Sequence, residues 1–356
     1  MPTEKHALTV QLPPERARLI ARSLEIGLSR EAEAWHTLSS YWQHHKGEAA
    51  FSLVDAERGI AQLRGESGFY FPGRSYSELD WVNMVDRLLW LAVQRQERPW
   101  RECMAARRAL ALSLPRLTLG GARLGFPWLG RRLSYDYLRA LHHLHSIAPF
   151  LSDDITSGRQ RLVALEIGPG TGLLALALRQ LIPNSTLVLV DLPEILPFSS
   201  VLLSLAFPQA RFLMLGENDP RPFDMERYDF ICLTPAAANE LSGESIDLAL
   251  NTDSMQEMEA ETIHAYFAFM RRVLRGPHLF YSSNRLEKWI GGRATRLEDY
   301  PYGPRDRHHF SRVNAFMQTR WVWRKIRYRI PYPRREGRRS GVRVIQRLTE
   351  LAVQTS

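Results

Sequence analysis

The chain has two cysteines, Cys103 and Cys232, in 356 residues. That is too few for a disulfide framework, and neither stands at metal-ligand spacing from a second Cys or a His. No uninterrupted apolar run approaches the roughly 18–20 residues that a membrane span needs. The opening MPTEKHALTVQLPPER has no basic-then-apolar pattern of a secretory leader, so the expectation is a cytoplasmic protein. Lysine is scarce, four of 47 basic residues, and no function class is read from that. No internal repeat is visible.

What is present is an ordinary globular composition, 45% hydrophobic, and a net charge of +9 that is local. Residues 320–347 hold eleven basic groups against Glu336 alone, so the rest of the chain is close to neutral. Length allows two domains, or one with a large extension. The reading is an N-terminal helical region over 1–114, a Gly/Pro-rich linker over 115–133, an α/β domain over 134–330, and a basic C-terminal tail over 331–356. Pro13-Pro14 opens an apolar-periodic stretch with Ala17, Leu19, Ile20 and Leu24. Further helices are expected from Ser29 to about Trp42, from Ser77, from about Arg101, and from Ser134 to Ala148.

The informative stretch is RLVALEIGPGTGLLALALRQLIPNSTLVLVDLPE, Arg161 to Glu194. Leu162 to Leu165 reads as a fully buried strand. Glu166 and the turn Gly168-Pro169-Gly170-Thr171-Gly172 follow, then a helix from Leu173 that Pro183 stops. A second strand, Thr186 to Val190, ends on Asp191. Strand, glycine turn, helix, strand and terminal carboxylate make one βαβ unit. The turn brings backbone close to a ligand at a helix N-terminus, and Asp191 is placed to accept from ribose hydroxyls. The nicotinamide-type spacing G-x-G-x-x-G fails, because Leu173 stands where its last glycine belongs.

Two β-like runs come next, Ala210–Leu215 and Tyr228–Leu233, either of which could take the third place in the sheet. The strand from Ser245 to Leu250 empties into Asn251-Thr252-Asp253-Ser254-Met255-Gln256-Glu257, at the edge where a doubly wound sheet holds its ligand. Ser254 and Glu257 also fit a capping box, which would account for both by helix initiation. Asn251 and Asp253 are not needed by that box. A last strand, Leu279 to Tyr281, ends at Ser282-Ser283-Asn284-Arg285. His142, His143 and His145 do not converge as i, i+4 ligands would, so no metal site is expected there.

The pieces VALEIGPGTG, LVLVDLPE, IDLALNTDSMQEME and YSSNR, in this order, resemble the bacterial sugar O-methyltransferase family, whose members are class I S-adenosylmethionine-dependent methyltransferases. The resemblance covers about Ser134 to Arg285. It departs from the family pattern at Pro169, Thr171 and Asp253, and it leaves the N-terminal part and the basic run unexplained. It implies an α/β, doubly wound Rossmann-like domain that binds S-adenosyl-L-methionine through Glu166, Gly168, Gly170, Gly172, Asp191, Leu192 and Asn251. It also implies an acceptor held by Asn284 and Arg285. Asp253 or Glu257 is the candidate base, with His309 as runner-up on a loop from Gly303 to Phe310 that reads as a substrate lid.

Holding the hydroxyl in line for methyl transfer can supply about 7–11 kcal/mol, against roughly 10²–10⁴-fold from a base. The partner implied is a sugar or glycosylated small molecule, with a homo-oligomer allowed. A nucleic-acid-binding protein with a methyltransferase-like core is the alternative. Asn251-Thr252-Asp253-Ser254 lacks the Asn/Asp-Pro-Pro-aromatic sequence of base methyltransferases, which argues against it. Trp321 to Ile330 reads as a segment covering the crevice, and Arg334 to Arg339 as a solvated or anion-binding run.

Overall fold

The computed structural model describes residues 7–29, 49–65, 123–124, 133–214, 223–290, 292–314, 317 and 343–352. The helices expected after Ser29, Ser77 and Arg101, the segment Trp321–Ile330 and the run Arg334–Arg339 lie outside these. In the N-terminal part the described elements are β1 (Ala7–Gln11), α1 (Pro14–Ser29), β2 (Ala49–Asp55) and β3 (Ile60–Gly65). The strands form an antiparallel sheet in the order β1-β3-β2. The expected helical region therefore holds strands as well. Ala17 and Ile20 of α1, with Val10, Leu12 and Ala61, belong to the same apolar core as the main sheet. Arg16 ties α1 to that sheet, donating to the Ala210 carbonyl at 2.9 Å and lying 3.8 Å over the Phe212 ring.

After the short pair β4 (Arg123–Leu124) and β5 (Leu133–Ser134) come α2 (Tyr135–Ile147), α3 (Asp153–Thr156) and β6 (Leu162–Ile167). Then follow α4 (Leu173–Leu181), β7 (Ser185–Val190), α5 (Leu196–Ala206), β8 (Phe212–Met214) and β9 (Phe230–Leu233). The chain continues with α6 (Pro235–Ala238), β10 (Ile246–Thr252), α7 (Ala260–Val273) and β11 (Leu274–Arg285). It closes with the hairpin β12 (Glu287–Ile290) and β13 (Arg293–Arg296), then β14 (Arg307–Val313) and β15 (Val344–Glu350).

The main sheet runs β14-β15-β11-β10-β6-β7-β9-β8. Strands β6 to β11 all run parallel, each to its neighbours in that order, and β15 is antiparallel to both β11 and β14. β9 takes the third place, beside β7, and β8 lies outside it. Every residue of β6 and β7 is buried, as continuous apolar runs at the centre of a parallel sheet should be. Alternation divides them between two cores. Leu162, Ala164, Leu187 and Leu189 face α2, α4 and α5. Val163, Leu165, Val188 and Val190 face α6 and α7. Glu166 continues the first set, which puts a carboxylate among leucines. The direction of strand succession reverses between β6 and β10, and that reversal opens the ligand crevice at the strands' carboxyl ends. The architecture is the Rossmann-like class I methyltransferase fold, with its parallel strands closed on one side by an antiparallel pair. None of the described helices is long and apolar enough to cross a membrane.

Three sequence expectations are corrected here. The segment 303–310 is no lid. The Asp306 carboxylate, buried against Arg271 at 2.7 Å, also accepts the backbone N–H groups of Gly303 and Ala352, and from Arg307 onward the chain is sheet edge. Within the expected tail over 331–356, the described residues 343–352 are not a tail. β15 sits inside the sheet, with Val344, Gln346, Leu348 and Thr349 buried, so the basic run stands between two sheet strands. The alternation Val-x-Gln-x-Leu was masked by the arginines around it. The capping box does not form either. After Asp253 comes a short 3-10 turn at Met255–Glu257, then extended Met258, and α7 starts only at Ala260.

Candidate active site

The glycine turn joins β6 to α4, and all three of its glycines have positive φ. A Cβ on Gly168 would lie 2.2 Å from the Ser254 hydroxyl, and one on Gly172 2.8 Å from the Ser199 Cβ. These two are glycines because protein packs against them. A Cβ on Gly170 would meet nothing within 4 Å. That is the side left for a ligand. Gly172 caps α4 with no side-chain oxygen, so the N-cap residue itself satisfies none of the helix's first N–H groups.

Asp191 follows β7 and reaches back to the turn. One carboxylate oxygen accepts the Gly170 N–H at 2.9 Å, the other the N–H of Leu192 at 2.8 Å. Glu166 is 4% exposed and accepts the Ala175 N–H in the first turn of α4, while its Oε2 is buried without a hydrogen-bond partner. Burial, with Asp191 as a like-charged neighbour, pushes the Glu166 carboxyl up to about 8. Burial likewise pushes Asp191 up to about 7, against the two backbone hydrogen bonds that lower it. No described basic side chain pairs with either.

The other half of the crevice is built differently. Asp253 has φ 63, a left-handed conformation that Asp tolerates better than most residues. Its N–H donates to the Ser283 carbonyl at 2.9 Å, and its carboxylate takes the Arg139 guanidinium of α2 at 2.7 Å, each side chain 28% exposed. Glu257, 8% exposed, forms an ion pair with Lys288 of β12. Burial raises the Glu257 carboxyl, and the Lys288 ammonium offsets part of that rise. Electrostatic interactions also link Glu257 with Asp253, Arg285 and Asp191.

Asn251 and Asn284, expected at cofactor and acceptor, are both fully buried. The Asn251 amide donates to the Ile167 carbonyl at 2.9 Å and to the Ser254 hydroxyl at 2.5 Å. Its oxygen accepts from Asn284 at 2.8 Å and from the Met255 N–H at 3.3 Å. The Asn284 oxygen in turn takes the Gln256 N–H at 3.4 Å. The two asparagines pin the ends of β6, β10 and β11 together, and the Asn251 amide has both its donors and its oxygen engaged by protein. This also explains the failed capping box, since Ser254 is engaged by Asn251 and the Ile167 carbonyl. Arg285 is anchored by its own N–H, which donates to Gln256 Oε1 at 2.8 Å, and its side chain is half-buried at the rim.

His309 is not at the crevice. It lies in the irregularity of β14 between the His308–Thr349 and Phe310–Leu348 pairs, at the level of mid-strand Phe280 and Tyr281. Its ring faces Glu350 at 3.5 Å and Phe150 at 5.2 Å. His142 and His143 are core residues. Burial lowers His142 to about 4, and His143 bonds the Tyr281 hydroxyl at 2.7 Å. The residues that sequence reasoning missed are Arg139 and Lys288, the cations facing the two candidate bases. Lys288 is the single lysine among the described residues, and only that rarity singled it out.

No family model matches the sequence, and no curated protein matches it. Among solved structures the chain is similar to an S-adenosylmethionine-dependent methyltransferase of Leishmania major, at 11% identity over 60% of this chain and 72% of that one, TM-score 0.36. It is also similar to a Galdieria sulphuraria protein assigned as a sarcosine dimethylglycine methyltransferase, at 10% identity over 69% and 97%, TM-score 0.41. A third similarity is to the mitomycin 7-O-methyltransferase MmcR, at 15% over 60% of this chain and 54% of that one, TM-score 0.32. The matched part thus spans about half of MmcR.

Proposed function

We propose that this chain is an S-adenosylmethionine-dependent O-methyltransferase whose acceptor is a hydroxyl of a sugar or glycosylated small molecule. The observation that carries the cofactor half is the pair of carboxylates, Glu166 and Asp191, which no basic side chain among the described residues pairs, beside the open side of Gly170. A buried carboxylate oxygen without a donor is unfavourable unless a ligand supplies one. The cofactor's ammonium and sulfonium groups are the complementary charges, and its ribose hydroxyls suit Asp191. When bound, S-adenosylmethionine supplies a methyl group on a positively charged sulfur that departs as a neutral thioether.

The chain's own residues do the rest. Gly170 and the start of α4 receive the cofactor's amino-acid end, and Asp191 and Leu192 its ribose. Glu257 accepts the acceptor's hydroxyl proton, because burial raises its carboxyl above the ordinary range and a more basic carboxylate is the better general base. Asp253 and Arg285 orient the acceptor. The sugar assignment rests on the resemblance of the four sequence pieces to the sugar O-methyltransferase family.

The test is transfer of an isotope-labelled methyl group to a panel of sugars and glycosides. Label in a base-stable ether is expected. Glu257→Gln should lower turnover roughly 10²–10⁴-fold while cofactor affinity stays unchanged. Label on nitrogen or on nucleic acid would contradict the assignment.

A further inference from the structure

The hairpin β12–β13 was not foreseen from sequence, and it is fastened to the segment after β10 at three points. Lys288 and Thr295 are cross-strand partners on one face of it. Lys288 meets the Glu257 carboxylate, and the Thr295 hydroxyl donates to the Met258 carbonyl at 3.3 Å. Arg293 adds an ion pair to Glu259. The opposite face carries the exposed Glu287–Arg296 pair at 3.0 Å. The inner face of the hairpin therefore covers residues 257–259 with two cations, the Lys288 ammonium set on Glu257 and the Arg293 guanidinium set on Glu259.

Both members of that pair are nearly closed off from solvent, with side chains 10% and 9% exposed. We infer that Lys288 is a positioning residue which keeps Glu257 as a carboxylate at the crevice, so that the hairpin, not the β10 segment alone, makes the base available. The inference rests on the reading of Glu257 as base. The other charges around Glu257 are Arg285 at the end of β11, which assists, and Asp253 and Asp191, which oppose. Arg139 is held by Asp253 and Arg293 by Glu259. Burial alone favours the neutral acid of Glu257, so removal of the ammonium leaves an uncompensated buried charge that takes up a proton. Lys288 is lowered by the same burial and held charged by Glu257.

The experiment reads the ionisation of Glu257 rather than turnover. Infrared difference spectra between the full chain and its Glu257→Gln variant, across about pH 5 to 9, report whether Glu257 contributes a carboxylate or a carboxylic-acid band. With Lys288 in place the carboxylate band is expected at neutral pH. In Lys288→Met and Lys288→Gln the acid band should appear there, with the midpoint raised by about one unit or more, a tenfold or greater loss of the ionised form. Lys288→Arg should restore the carboxylate, and the alkaline shift should recur in the pH profile of kcat.

An acid band at neutral pH in the unmutated chain would overturn the inference even if the lysine variants failed to fold. So would a carboxylate band that survives Lys288→Met. Because no methyl acceptor enters the measurement, the result stands apart from whether the proposed reaction is found.

Discussion

Glu166 and Asp191 have no basic side chain between them among the described residues, whereas Asp253 and Glu257, in the same crevice, each hold one. The first two are anchored by backbone N–H groups from Gly170, Leu192 and Ala175, which fix their direction without neutralising them. The second two are neutralised by Arg139 and Lys288, brought from α2 and from the hairpin. A carboxylate waiting for a cationic ligand has to be left uncompensated by the protein. One that must persist as a base has to be compensated by it. In the function proposed above, the difference divides the crevice into a cofactor half, with Glu166 and Asp191, and an acceptor half, with Asp253 and Glu257.

The comparison can be broken first where the two halves meet. Asn251 joins β6, β10 and β11 through protein partners alone, so Asn251→Ala should act on stability. It orphans the Met255 N–H and the Asn284 amide and leaves the Ile167 carbonyl to the Ser254 hydroxyl alone, and we expect a loss of about 3 kcal/mol or more in urea unfolding. A variant of normal stability that had lost only cofactor affinity would return Asn251 to the cofactor half.

Next comes the pH response of the uncompensated pair. A carboxyl raised from its ordinary value to about 8, as Glu166 is, binds more protons in the folded than in the unfolded chain. It therefore favours folding at low pH and withdraws that support as pH climbs from about 4 through about 8. Asp191 acts in the same sense up to about 7. Glu166→Gln should flatten the fall and leave the empty protein about 1–3 kcal/mol more stable than wild type near pH 8. Melting curves across that window read it, and parallel curves for the two proteins would mean Glu166 is already ionised.

The smallest effect is in the compensated half. Asp253→Ala places a non-polar residue at φ 63 and removes a partly buried ion pair, together roughly 1–2 kcal/mol. Asp253→Asn should be nearly neutral for stability, because Asn also tolerates that conformation. Equal losses from both would shift the weight from backbone strain to the Arg139 pair.

The cofactor half was legible in the sequence because its determinants are local. A glycine turn, a short apolar strand and a carboxylate at the next strand end lie within one βαβ unit, and α4 spans the predicted Leu173 to Leu181. The acceptor half was not, because its determinants are distant. Arg139 stands 114 residues from Asp253, and Lys288 31 residues from Glu257. Ser254 and Glu257 matched a capping box by spacing alone, yet Asn251 had already engaged the serine. Asn251 and Asn284 sit at strand ends, where sequence predicts ligand contact. Only the β10–β11 pairing turns them toward each other. β15 was hidden inside a basic stretch whose charge overrode its alternation.

The most direct test of the central claim is calorimetric titration with S-adenosylmethionine near pH 7 in buffers of different ionisation enthalpy. If the cation-free carboxylates are the cofactor site, binding releases protons as Glu166 and Asp191 ionise against the incoming positive charge. S-adenosylhomocysteine, which lacks the sulfonium charge, releases fewer, and Asp191→Ala loses about 100-fold in affinity. Binding that is indifferent to buffer and to Asp191→Ala, or no binding at all, would contradict the account.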